Sequence, residues 1–159
     1  MSKVKIRPLL VILGLLMGFA PPCSASPKED VQKVVESFYA QYYKEYLGQP
    51  AKNDGDKAWM RWIASNTSLS DGFKTALQKK IKDARKQDPE LGLDVDPILN
   101  AQDYPRKGYH AKEIQITGGK ANVVMEGIGE SDFKVPVELV SIKNQWKING
   151  IGDINRSQK

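Results

Sequence analysis

The chain of 159 residues holds a single cysteine, Cys23, and a single histidine, His110. One thiol closes no disulfide, and the two residues cannot supply the four Cys or His ligands of a structural zinc site. A Ser-His-Asp triad would have to draw on His110, and the sequence has no Gly-x-Ser-x-Gly elbow to accompany it. Asp94, Asp96 and Asp103 fall in one segment, but without the third loop acid, central glycine and distal glutamate of a calcium hand. Their bland role is capping and turn formation around Asp96-Pro97. Gly118-Gly119 and Gly127-Ile128-Gly129 read as turn glycines, with no phosphate-loop context. No catalytic residue, metal or cofactor is therefore expected. Long apolar runs are scarce too: residues 8–20 are apolar, short of the roughly 20 residues that span a bilayer as a helix.

That short run is informative for what surrounds it. Lys3, Lys5 and Arg7 precede it, and Pro21-Pro22-Cys23-Ser24-Ala25 follows, ending in small residues. A basic start, an apolar stretch and a small-residue site define a secretory signal cleaved after Ala25, which predicts export of the remainder. The expected organisation is a signal peptide over 1–25 and one α+β domain over 26–159. Cleavage removes three cations, so the formal charge drops from +5 to +2. That leaves little electrostatic footing for nucleic acid. Cys23 is either discarded as the −3 residue of this site or kept as a lipid-bearing first residue. The proline before it departs from the small residue that lipoprotein signals want, which favours the soluble form.

The domain opens on a helix signature. Ser26 suits an N-cap, Pro27 the first helical position, and Glu29 completes a capping box. Val31, Val34, Val35, Phe38, Tyr39, Tyr42, Tyr43, Tyr46 and Leu47 follow at steps of three and four, and Gly48 and Pro50 stop the helix. A short helical segment is expected over 58–64. A second long helix is expected from Ser68 or Ser70, with Leu69, Phe73, Leu77, Ile81 and Ala84 inward and lysines outward, ending at Asp88-Pro89. An irregular stretch runs to Gly108. The period then drops to two: residues 111–117 and 120–126 alternate around the two-residue turn Gly118-Gly119. Phe133, Val135, Val137 and Leu139 share a face of a third strand, where Pro136 argues for an edge or a bulge. Trp146, Ile148 and Gly150 are expected to line one face of the last strand. Helices followed by an antiparallel meander give an α+β fold with the helices on one face of a sheet of about four strands.

Three stretches in order carry a resemblance: Val34-Val35-Glu36-Ser37-Phe38-Tyr39, Asp96-Pro97-Ile98-Leu99-Asn100-Ala101-Gln102-Asp103-Tyr104-Pro105, and Trp146-Lys147-Ile148-Asn149-Gly150-Ile151. Together they resemble the YbjP/YqhG-like family of exported bacterial proteins, over nearly all of residues 28–154. The resemblance implies a cystatin-like, nuclear-transport-factor-like cone, a long helix cradled by a curved sheet. The chain is also similar, more distantly, to small periplasmic immunity proteins that block cell-wall amidase effectors of type VI secretion. Such proteins act by occlusion and need no catalytic residue. The leading expectation is a non-catalytic periplasmic binding module of that kind. Its partner would be another periplasmic protein such as a peptidoglycan hydrolase, met through Asp96, Asn100, Gln102, Asp103, Tyr104 and His110. The alternative is a small-molecule or envelope-ligand binder whose cone interior is lined by Tyr39, Tyr42, Tyr43 and Trp146.

Overall fold

Ser26 begins the first helix as its composition requires. Its hydroxyl accepts from the Glu29 amide, while the Glu29 carboxylate accepts from the Ser26 amide. The computed structural model describes residues 26–47 and 55–157, so the expected signal peptide and Cys23 lie outside the described residues. Helix α1 spans Pro27–Tyr46, α2 Gly55–Ser65 and α3 Asp71–Gln87. Ser70 is the N-cap of α3, its hydroxyl accepting from the Phe73 amide, and Asp88 is its C-cap. The strands are β1 (Tyr109–Thr117), β2 (Lys120–Gly127), β3 (Glu130–Ile142) and β4 (Gln145–Ile151). They form one antiparallel sheet in the order β1-β2-β3-β4 that does not close into a barrel, and the fold is α+β.

The core lies between α1 and the sheet face that carries Ala121, Val123, Met125, Val135, Val137 and Leu139, with Phe73 and Leu77 of α3 closing one side. One turn before α3, Ser68 and Ser70 exchange backbone hydrogen bonds with Ile148, which covers the outer edge of β4. Two sheet details differ from the sequence expectation. Strand β3 is interior, paired on both sides, so Pro136 does not mark an edge strand. The proline is accommodated because the β4 ladder ends one residue away, at Val137↔Ile151, and a bulge at Glu138/Leu139 follows. That bulge also alters the face of β4. Leu139 pairs with Ile148 and Val137 with Ile151, so Ile151 continues the buried row while Gly150 sits opposite Glu138. Alternation along the sequence cannot reveal an inserted residue, and Asn149 is the one inserted.

The last described residues fold back over this point. A Cβ on Gly150 would lie 2.6 Å from Arg156 Cγ and 2.9 Å from the Asn155 carbonyl oxygen, so only glycine lets them cross. Ser157 donates its amide to Glu138 Oε2, and Asn149 Nδ2 donates to Oε1. Burial alone would raise the Glu138 carboxyl, but these hydrogen bonds outweigh it and hold it below the usual range.

Candidate functional site: a loop strapped to the first helix

The irregular segment between α3 and β1 is organised by Asp96. One of its carboxylate oxygens accepts the amides of Ile98 (2.7 Å) and Leu99 (3.0 Å). The other accepts the hydroxyl of Tyr42. The segment closes on itself where the Asp96 amide donates to the Ala101 carbonyl and the Asn100 amide donates to the Asp96 carbonyl. Asp96 is thus turned into the loop, with both carboxylate oxygens bonded there. This follows from chemistry that favours aspartate at turns: a short carboxylate reaches the amides two and three residues on.

Three consecutive tyrosines of the α1 stripe serve as straps. Tyr39 donates its hydroxyl to the Ile98 carbonyl at 3.0 Å, Tyr42 to Asp96, and Tyr43 to the Pro105 carbonyl at 3.0 Å. Trp59 of α2 donates its indole N–H to the Tyr42 oxygen. Tyr39 and Tyr42 present almost no surface, at 0% and 2% exposure. Burial first, and then for Tyr42 the neighbouring Asp96 charge, push both phenols well above the usual tyrosine range. Burial raises Tyr43 as well, with Tyr109 and Tyr104 beside it. Buried tyrosine rings with satisfied hydroxyls combine a large apolar body with one directed bond, so each fixes a loop carbonyl or carboxylate to the core.

Two glycines complete the seat. Gly152 has φ +58°, and a Cβ there would approach Asn100 Oδ1 to 2.6 Å, so the side chain of Asn100 packs directly on its backbone. Asn100 itself has φ +54°, the left-handed region that asparagine tolerates best after glycine. A Cβ on Gly127 would lie 2.8 Å from Pro105 Cβ. The loop therefore rests against the β2–β3 turn, where the Ile128 amide donates to the Gly108 carbonyl.

From this seat Asn100, Gln102, Asp103 and Tyr104 face water. Tyr104 is 40% exposed, and its ring meets Tyr43 edge-on with centroids 5.8 Å apart. Gln102 reaches back toward Asp94 at 3.4 Å. Ile128, also 40% exposed, stands on the adjoining turn. Of the six residues expected to meet a partner, these four lie together on the loop surface, Asp96 lies inside it, and His110 stands apart. His110 pairs across the sheet with Glu126, on the face opposite Tyr109. There the Glu126 carboxylate is held by Lys112 at 3.3 Å and Lys134 at 3.8 Å, and His110 Nδ1 is buried without a hydrogen-bond partner.

The four residues expected to line a ligand cavity also separate. Tyr39, Tyr42 and Tyr43 form the straps just described. Trp146 lines a surface groove of about 360 Å³ with Asp30, Lys33, Val34 and Gln145, beyond the start of α1. Sequence reasoning missed the seat residues Pro105, Gly127, Ile128 and Gly152. No sequence signal links position 100 to 152, because the contact exists only once the sheet has placed both.

No group of three or more His, Cys, Asp or Glu able to hold a metal occurs among the described residues. No helix among them is long and apolar enough to cross a membrane. No family model matches the chain, and no curated protein matches it by sequence. Among solved structures it is similar to the type VI native effector–immunity complex Tae3-Tai3 from Ralstonia pickettii, with a TM-score of 0.35 and 17% identity over 69% of this chain and 100% of that one. It is also similar to the selenomethionine form of that complex, with a TM-score of 0.33 and 20% identity over 64% of this chain and 94% of that one.

Proposed function

We propose that this protein is a non-catalytic binding module that recognises another protein through the loop surface of Asn100, Gln102, Asp103 and Tyr104, with Ile128 beside it. The observation that carries this reading is the construction of the loop. Three tyrosine hydroxyls, an aspartate cap and two glycine seats hold a segment whose tip bears amide, carboxylate and phenol groups. Fixing a recognition loop beforehand removes ordering entropy that binding would otherwise have to overcome. A rim of one aromatic side chain and several polar ones suits insertion into a cleft, with Tyr104 as the anchor. The specific form of the proposal is an inhibitor of the immunity kind, acting in the periplasm after cleavage of residues 1–25 and occluding a cell-wall-degrading effector.

The test captures partners from periplasmic extract on the tagged protein and measures hydrolase activity of whatever is recovered, with and without it. Recovery of a cell-wall hydrolase that loses activity on binding is the expected result. The double variant Asp103→Lys with Tyr104→Ala should then weaken that binding at least tenfold with an unchanged melting curve. Full affinity in the folded double variant would remove this surface from consideration.

A further inference from the structure

Helix α3 carries six basic residues against two acidic ones, while the rest of residues 26–159 carries fifteen against seventeen. The helix is thus a formal +4 on a body of −2. Its periodicity sorts these charges. Phe73, Ala76, Leu77 and Ile81 pack on the core, the opposite face presents Lys79, Lys82 and Lys86, and Arg85 flanks it, all four cations exposed. The side chains of Lys79 and Lys86 are 78% and 66% exposed. One carboxylate, Asp83, serves both, at 2.7 Å from Lys79 and 3.7 Å from Lys86. Cations in the last turn complement the helix dipole, which accounts for Arg85 and Lys86 but not for Lys79 and Lys82 in the middle of the helix. No large apolar side chain interrupts this face.

We propose that this face of α3 docks the protein on an anionic phospholipid surface, its lysines and Arg85 meeting lipid phosphates. A row of long, snorkelling cations without apolar wedges fits peripheral contact with headgroups rather than insertion. The secretory signature at residues 1–25 favours a lipid surface over nucleic acid as the polyanion encountered. Attraction of this kind fades within a Debye length, so it is sensitive to salt. The proposal does not depend on the loop of residues 96–105 binding a protein.

Co-sedimentation of the purified protein with vesicles tests it. Binding is expected to phosphatidylglycerol-containing vesicles and not to phosphatidylcholine alone, and to fall at least tenfold between roughly 50 and 200 mM salt. Lys82→Glu with Lys86→Glu should reduce partitioning at least tenfold. Lys33→Glu with Lys143→Glu changes net charge equally on other faces and should leave most binding intact. Equal loss in both variants, equal binding to neutral vesicles, or retention by duplex DNA without vesicle binding would each overturn the proposal. Circular dichroism of both variants separates lost binding from lost folding.

Discussion

The loop of residues 96–105 and helix α3 both set charged groups at the surface, and they do so by opposite means. Helix α3 takes its shape from its own backbone ladder, and its lysines are added to a structure that stands without them. The loop has no such ladder: beyond two backbone hydrogen bonds joining Asp96 to Asn100 and Ala101, it is held by side chains, namely one carboxylate, three phenols and a proline on a glycine. Asp96 and Asp103, seven positions apart, show the difference within one segment. The first is consumed as scaffold, while the second is exposed on the loop surface. Charge that holds structure is bonded and inward, and charge available for recognition is solvated.

The substitution that strikes hardest at this contrast is Asp96→Ala. It strands the Ile98 and Leu99 amides and the Tyr42 hydroxyl in a part-buried site. The expected cost is about 2–4 kcal/mol in urea or thermal unfolding, combining a lost cap with unpaired buried groups. A loss below about 1 kcal/mol would mean the loop is held by its backbone after all. No residue of the outward face of α3 should approach that cost.

Much of the frame is readable before folding because its causes are local. Ser26 and Glu29 announce α1, Ser70 caps α3, and Gly118-Gly119 makes the hairpin turn, each within a few residues of what it controls. The loop is only half readable. Aspartate before proline suggests a turn, and Asp96 makes one. Its other oxygen goes to Tyr42, whose partner no spacing predicts, because 54 positions separate the two residues. The tyrosine stripe reads correctly as a buried helix face. That its hydroxyls converge on one loop depends on where the chain returns after α3. The bulge at Glu138/Leu139 is invisible for a similar reason, since a strand that gains one residue keeps an alternating sequence on either side of it.

A weaker effect probes the same phenols by pH. Tyr109 packs on Tyr39 and Tyr43, its hydroxyl is buried without a partner, and burial followed by the Asp96 charge pushes its pKa up to about 12. The unfolded value is about 10. With the folded value raised, the stabilisation from keeping this phenol neutral is whole below the unfolded pKa. It is lost as pH rises through the folded one. Phenolate absorbance and circular dichroism should therefore change together in a base-unfolding transition that starts above about pH 10. Tyr109→Phe removes the unpaired hydroxyl and should move that onset upward without lowering stability at neutral pH. Tyr39→Phe, which gives up a made hydrogen bond to Ile98, should instead cost about 1 kcal/mol. If the two variants behave alike, the hydroxyl of Tyr109 has a partner in solution.

The smallest expected effect completes the comparison. Lys82→Glu with Lys86→Glu replaces two exposed cations on a helix held by Phe73 and Leu77 beneath. Surface ion pairs such as Lys86–Asp83 contribute little, because water screens them and two long side chains lose freedom in forming them. The melting temperature should shift by no more than about 3 °C, with α3 retained in the circular dichroism spectrum. A larger fall would show that the basic face stabilises the fold, which would make its charge scaffold of the kind found at Asp96. An unchanged melt would mean that the fold does not require the charges of Lys82 and Lys86, two exposed cations on a helix face able to meet an anionic surface.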